Sequence, residues 1–376
     1  MGFETNAALL SGLSESGLQY EVLGHARFDE PIVAIEAGGT QEPGVVIATG
    51  AHATEHAGVA AAVTLSQTLE TDRRVTVIPT RDPVGLNGYE WTLNRVLARD
   101  VELDGFAELA ALLRSEGEAV YEADEMVLAL LDDVGFATVP PGRDGESSQF
   151  HLLKRIKALQ HAAPEALEPY RGRRILLPAG QPAVPSNGDF DRAYSMVVSP
   201  DGEALHFNRY FDRQWAPVET RAVRSVVQAV DPGLVYDLHE TQVAEDRVFA
   251  TLNDQATSER NAAQKTVATA TIDGAKSAGA TTATDDDIAA MATITKSDPD
   301  ADDEAALYDR VADGIYRKPD PSRRNEGQNL TDYATAQGRI AMTLETGMLA
   351  PEDERARRHV AAVRTGIEAF SDLDRS

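Results

Sequence analysis

Three short stretches of this chain carry residues that could do chemistry together. The first is Val45–His56, VVIATGAHATEH, where an apolar run meets Gly50 and then His52, Glu55 and His56. The second, Gly233–His239, reads GLVYDLH and ends in a histidine. The third, Arg339–Glu345, reads RIAMTLE and ends in a glutamate. His52 and Glu55 are three residues apart at the expected start of a helix, so both can face one point. Imidazole nitrogen and carboxylate oxygen are good ligands for zinc, and two histidines with one carboxylate leave a position open for water, as in a catalytic site. The metal would bring the pKa of that water to about 7. A further carboxylate, Glu345, could accept its proton as general base. A lone histidine beside a helix start is more often a cap or a surface residue. The weight here comes from several such groups ending apolar strands, where packing gives no reason for them.

Other readings of the same residues compete. HATEH also spells H-x-x-E-H, in which His52 and His56 would both bind metal and Glu55 would be the base. That motif needs one continuous helix, and Gly50 and a strand lie immediately upstream. His25, His151, His161 and His359 have no such surroundings and read as surface or structural residues. The acidic stretch 295–304 places Asp298, Asp300 and Asp302 at calcium-loop spacing. It has Asp303 where the sharp turn needs glycine and Asp309 where a bidentate glutamate is expected, so it reads as a solvated loop.

The elements that must position these groups follow from periodicity. Segments 18–23, 32–37, 44–48 and 74–79 are short, β-branched and bounded by turn residues, which predicts strands. Residues 58–69 have helical spacing. Segments 233–239 and 339–345 are two later strands, 174–178 is a possible further one, and 257–273 is a helix. Residues 92–185 show helical patterns at 106–114, 119–134 and 150–162, which predicts a helical insertion, and 180–203 reads as loop. The expectation is one α/β catalytic domain over 1–376 with a mixed, largely parallel sheet flanked by helices.

Taken in order, the motifs resemble the zinc carboxypeptidase family and its succinylglutamate desuccinylase and aspartoacylase relatives. The matching pieces are Gly50-Ala51-His52-Ala53-Thr54-Glu55 and the turn Pro79-Thr80-Arg81-Asp82-Pro83-Val84-Gly85. Phe207-Asn208-Arg209-Tyr210-Phe211, Tyr236-Asp237-Leu238-His239 and Thr343-Leu344-Glu345-Thr346-Gly347 follow. The resemblance implies one zinc ion held by His52, Glu55 and His239, with Glu345 as the base that returns its proton to the leaving amine. Asn208 and Arg209 would bind a substrate carboxylate. An arginine upstream would polarise the scissile carbonyl, and Arg192 is the nearest in sequence. Tyr333, or else Tyr316, stands for the family's mobile tyrosine. The implied substrate is a peptide's C-terminal residue or an N-acyl amino acid. Departures are His206, where the family usually has an aspartate orienting a zinc histidine, and Asp82, where it usually has asparagine. His206 keeps open a non-catalytic, metal-binding or regulatory module of the same fold.

Composition narrows the classes further. The chain has 376 residues, 35 Lys+Arg against 61 Asp+Glu, a formal net charge of −26 and no cysteine. Such a surface repels nucleic-acid backbones and anionic membranes. No window approaches the roughly 18 apolar residues of a membrane span. The absence of cysteine excludes disulfides, thiolate metal sites and a cysteine nucleophile. Only six of the basic residues are lysine. An acidic, lysine-poor surface and an N-terminus without a signal pattern point to a cytoplasmic protein adapted to high salt.

Overall fold

The turn chemistry and alternation noted above build two β-sheets with helices packed on them. The computed structural model describes residues 3–139, 148–179, 190–241, 246–295, 308–318 and 327–373. Its strands are β1 (Tyr20–His25), β2 (Pro31–Gly38), β3 (Gln41–Ala48), β4 (Arg73–Ile78), β5 (Ala119–Ala123), β6 (Met126–Leu131), β7 (Val134–Thr138) and β8 (Arg174–Pro178). They continue with β9 (Ala193–Val198), β10 (Ala204–His206), β11 (Leu234–Thr241), β12 (Arg247–Leu252), β13 (Thr281–Thr282), β14 (Asp309–Ala312), β15 (Ile315–Arg317) and β16 (Ile340–Gly347).

The larger sheet runs β1-β2-β4-β3-β11-β16-β12-β15-β14, with β13 on β12. Its centre, β4-β3-β11-β16, is parallel throughout, while β2 and β12 flank it antiparallel. This is a mixed α/β fold with a central sheet between helices. Helices Asn6–Glu15, His56–Thr68, Ser258–Ser277 and Glu352–Leu373 cover one face, burying Leu9, Val59, Val267 and Val363 against Val45, Ile47, Tyr236, Leu238, Met342 and Leu344. Helices Val218–Val230 and Leu330–Ala336 cover the other, against Val46, Ala48, Val235 and Ala341. Strand period two explains the division: each strand sends alternate side chains to opposite faces. Among the described residues no helix is long and apolar enough to cross a membrane.

The second sheet runs β10-β9-β8-β7-β6-β5. It replaces the helical insertion expected over 92–185. Helices Phe106–Glu116 and Ser148–Ala162 form where helical spacing placed them, but 119–134 is a hairpin. Asp124 and Glu125 both take positive φ, 48° and 68°, the backbone of a tight two-residue hairpin turn. The run MVLALL is apolar at every position because both faces are covered. Met126, Leu128 and Leu130 pack under Leu152 and Ile156, while Val127, Ala129 and Leu131 join the cluster of Leu109 and Leu113. A continuous apolar run does not distinguish helix from strand by period. The loop expected at 180–203 likewise contains β9, and 180–189 lies outside the described residues, as does most of the acidic stretch 295–304.

The two sheets are tied by Arg174 on β8. Its guanidinium pairs with Asp82, just after β4, and with Glu219 of helix Val218–Val230, all three largely buried. Asp82 also caps the short helix Pro83–Asn87, accepting from Gly85 N at 3.0 Å.

Helix Glu352–Leu373 lies close on the sheet at Gly366. A Cβ there would stand 1.9 Å from Tyr236 Oη and 2.3 Å from Thr271 Oγ1. Gly366→Ala should therefore cost about 1–3 kcal/mol through overpacking. Urea unfolding reads this directly, and an unchanged midpoint would contradict the contact.

Candidate metal centre

β3 ends at Ala48, and the chain turns sharply through Gly50, whose φ is +61°. A Cβ at Gly50 would lie 2.8 Å from Thr80 Oγ1, so the turn needs glycine. The loop after β4 is stapled to it: Arg81 N donates to Thr49 O at 3.1 Å and Asp82 N to Gly50 O at 3.0 Å. His52 follows in this turn, and Glu55 is the N-cap residue of helix His56–Thr68. A helix N-terminus favours a negative charge.

The Glu55 carboxylate is shared. Its Oε1 lies 2.7 Å from His52 Nδ1, and its Oε2 lies 2.8 Å from His239 Nδ1 and accepts from Glu240 N at 3.2 Å. Ligand atoms of His52, Glu55 and His239 all fall within 4.8 Å of one another, and all three residues are buried except for part of the His52 ring. His239 reaches this point because β11 sends Asp237 and His239 to one face and Tyr236, Leu238 and Glu240 to the other. In the parallel ladder with β16, His239 stands level with Glu345. Glu345 lines the same cleft, as do Asn208 and Arg209 from the segment after β10.

The far nitrogen of each imidazole is held as well. His239 Nε2 faces Asp237 Oδ1 at 3.1 Å, and Asp237 also accepts from Arg81 Nη2 at 2.6 Å and Asn208 Nδ2 at 3.1 Å. His52 Nε2 faces His206 Nδ1 at 3.0 Å, and Tyr194 stacks on the His52 ring at 4.7 Å. His206 thus occupies the position where a carboxylate would orient His52. If His52 binds metal through Nδ1, its Nε2–H donates, and His206 Nδ1 must accept as a neutral ring. Burial, with Arg209 and His52 adding to it, holds the His206 pKa well below the usual range, consistent with that neutral state.

The charges divide sharply. Burial opposes ionisation of Glu55, yet the two facing imidazoles bring it down to about 2. Burial also opposes a charge on His239, but Asp237 and Glu55 together raise it to about 10, so a metal would bind in competition with a proton. Burial lowers His52. Glu345 is raised by burial, and then by Glu55 and Asp237, to about 8 against the pull of His239 and Lys318. Two buried imidazoles and an ionised carboxylate, their donor atoms converging and their far atoms anchored, fit a metal ion of the transition series.

Several expected residues lie elsewhere. Arg192 is not in the cleft. Its guanidinium donates to the backbone carbonyls of Phe3 at 2.7 Å and Glu4 at 2.6 Å, tying down the N-terminal segment. Among the described residues Arg209 is the arginine lining the cleft. Tyr333 packs on Phe211 and accepts from Gln228 Nε2 at 2.8 Å, on the helices outside the cleft. Tyr316 is buried with its hydroxyl on Ala283 O at 3.0 Å. The tyrosines lining the cleft are Tyr194 and Tyr308. His56 lies inside the helix and outside the cluster, so HATEH does not form the two-histidine helical motif. Sequence reasoning did not single out Tyr194, Lys157 and Lys318 as cleft residues. For Tyr194 the signal was the strand pattern AYSMVV, obscured by its Pro- and Gly-rich flank.

No family model matches this sequence, and no curated protein does. Solved structures similar to it include a metallo-carboxypeptidase from Burkholderia cenocepacia, at 13% identity and TM-score 0.47 over 98% of this chain and 68% of that one. Bovine thrombin-activatable fibrinolysis inhibitor, in complex with tick carboxypeptidase inhibitor, has 11% identity and TM-score 0.47 over 98% and 99%. An aspartoacylase family protein from Mesorhizobium loti has 13% identity and TM-score 0.40 over 94% and 66%.

Two measurements address the centre. Purified protein should carry about one metal ion per chain, lost in a His52→Ala/His239→Ala double variant; elemental analysis reads this, and metal retained by the variant would move the site elsewhere. The second concerns Glu345 in metal-free protein. Between its ordinary 4.5 and about 8, the folded chain holds a proton that the unfolded chain has lost. Its contribution to stability therefore falls as pH rises through that window. Metal-free Glu345→Gln should gain on wild type in Tm from pH 5 to pH 8, by roughly a few °C. Parallel pH profiles would show a normally ionising Glu345.

Proposed function

We propose that the protein is a zinc-dependent hydrolase that cleaves an amide bond next to a free carboxylate. Its substrate is the C-terminal residue of a peptide or an N-acyl amino acid. The observation that carries this reading is the convergence of His52, Glu55 and His239 beside Glu345 in a cleft that also holds Asn208 and Arg209. The donor set, two imidazoles and one carboxylate in a chain without cysteine, suits zinc. When bound, zinc supplies Lewis acidity to a water and to the scissile carbonyl.

The chain's own residues divide the remaining work. Glu345, unlike Glu55, is not committed to the imidazoles, and its raised pKa makes it a proton acceptor matched to neutral water rather than a spectator anion. A nearby dication favours its ionised form. It takes a proton from the attacking water and delivers it to the leaving nitrogen as the amide breaks, so the same carboxyl serves as base and then as acid. Arg209, whose Nη1 donates to Asn208 O at 2.8 Å, lines the cleft as the cation that receives the substrate's carboxylate, with Asn208 beside it. Asn208 is itself fixed by Arg81 Nη1, which donates to its Oδ1 at 3.1 Å. The buried pair of Arg81 with Asp237 serves orientation, since both are spent on each other and on their neighbours. Arg192, held by the N-terminal carbonyls, has no part in the reaction.

Glu345→Gln keeps the shape of the side chain and removes the proton acceptor. It should retain metal and lose kcat by a factor of at least ~10² on N-acyl amino acids or peptides. Near-normal turnover in that variant would refute the role of Glu345. A wild-type protein that binds metal and cleaves no such amide would leave the non-catalytic module as the better reading.

A further inference from the structure

Tyr210 directly follows Asn208 and Arg209, and its backbone is unusual: φ is +71°. The other non-glycine residues with positive φ among the described residues lie at exposed or partly exposed positions, whereas Tyr210 is fully buried. A bulky aromatic residue rarely adopts this left-handed conformation, which persists only where the surroundings enforce it. Here the second sheet enforces it. Tyr210 Oη donates to Val197 O on β9 at 2.5 Å, and Glu203 O, before β10, is 3.2 Å away. The ring meets Trp215 edge to face at 5.7 Å and packs with Val197, Leu205, Phe207 and Ala216. Arg213 N donates to Tyr210 O at 3.2 Å and closes the turn that follows. The next side chain enters the other layer. Phe211 packs with Val46, Ala48 and Val223 on the main-sheet face, and its N donates to Gln328 O at 3.2 Å.

On the other side of Arg209, Asn208 is pinned through its side chain. Its Nδ2 donates to Asp237 Oδ2 at 3.1 Å, and its Oδ1 accepts from Arg81 Nη1 at 3.1 Å. Arg209 thus stands between two anchored residues, and its Nη1 donates to the backbone of one of them, Asn208 O, at 2.8 Å. The place of its guanidinium follows the backbone path from 208 to 210. We infer that Tyr210 is a positioning residue: its anchorage in the second sheet holds Arg209 at the cleft in the orientation that receives the substrate's carboxylate. Tyr210 is buried outside the cleft lining, so it acts through Arg209 and not on the substrate. This rests on the reading of Arg209 as the carboxylate-binding cation. It adds the residue through which the second sheet sets that recognition. A residue needed only for the fold would weaken every ligand alike, whereas a positioning residue weakens the contact to the carboxylate.

The test isolates that contact. L-Leucine, L-phenylalanine, L-lysine and L-glutamate, each against its α-amide, are titrated calorimetrically into the metal-loaded protein. Within a pair only the terminal group differs, so contacts of the side chain cancel in the ratio. In the tightest-binding pair wild type should prefer the acid by roughly tenfold or more, and Arg209→Met should bring that ratio close to one. Tyr210→Phe keeps the ring and removes the anchoring hydroxyl. It should lower the ratio about fivefold while amide affinity and metal content stay near wild type. In the Arg209→Met background the same change should move the ratio by less than about twofold, as expected when one residue acts through the other. Tyr210→Asn, a residue type that tolerates the left-handed backbone but lacks the anchor, should also lower the ratio and serves if the Phe variant does not fold. A ratio kept in the Tyr210 variants but lost in Arg209→Met would overturn the inference and leave the reading of Arg209. An equal fall in acid and amide affinity would overturn it in favour of a purely structural role. A wild-type ratio of about one would remove the carboxylate reading of Arg209, and the inference with it.

Discussion

The structure of the site depends on one buried carboxylate shared between two imidazoles. Glu55 is ionised in a place where water does not solvate it, a state that is costly unless hydrogen-bond donors replace the lost hydration. His52 Nδ1, His239 Nδ1 and Glu240 N provide that replacement from two points of the chain, the turn after β3 and the end of β11. For them to meet, the turn after β3, the N-cap of helix His56–Thr68 and the end of β11 must lie within a few ångströms. The parallel pairing of β3 with β11, which ends level at Ala48 and Asp237, provides this. The tight turn at Gly50 and its bonds to the β4 loop follow from the same requirement.

The period of the strands then separates structure from chemistry. On β11 the side chains facing helices Ser258–Ser277 and Glu352–Leu373 hold the fold: Tyr236 bonds Thr271 at 2.7 Å, and Glu240 pairs with the buried Arg355 and accepts from Ala57 N at 3.1 Å. Glu240 thus fixes the start of the helix that presents Glu55. The intervening side chains, Asp237 and His239, belong to the site. β16 repeats the pattern, with Met342 and Leu344 in the core and Thr343 and Glu345 at the cleft. A slip of one residue in either strand would exchange the two sets, so burial of the apolar faces enforces the register that aligns His239 with Glu345.

This division also explains what could be read from the residues in advance. His239 and Glu345 were visible because each closes an apolar strand run, where packing supplies no reason for a polar group, and His52 and Glu55 because they follow the end of β3 at the spacing of a helix start. Strand ends are also where the backbone's direction is known, so a side chain there can be located from its neighbours. Arg192 is the opposite case. Order along the chain put it near Asn208, but its direction depends on a loop and on the N-terminal carbonyls of Phe3 and Glu4, which no local pattern reports. The hairpin Ala119–Leu131 was hidden because both of its faces are covered, which erases the alternation that marks a strand. Lys318 and Tyr194 come from separate segments, and only the tertiary fold brings them to the cleft. Tyr333, on a helix beside Gln228, shows the limit from the other side: a helix preceding the last strand can carry an aromatic residue toward the outer layer as readily as toward the site.

The second sheet is therefore more than an appendage to the first. β9 and β10 supply Tyr194 and His206, and the helix covering their sheet supplies Phe150, Leu153 and Lys157. These residues form one wall of the cleft, and the main sheet with the segments that follow its strands forms the other. His206 couples the walls directly, because its contact with His52 makes the orientation of an expected metal ligand depend on how the second sheet is seated. Arg174 fixes that seating by joining β8 to Asp82 and Glu219 in a buried cluster. The groups that would activate water thus stand on the rigid parallel centre, and much of the surface a substrate meets stands on a separate sheet. Such a split lets the facing wall vary in shape and charge while the geometry around Glu55 stays fixed by the main sheet.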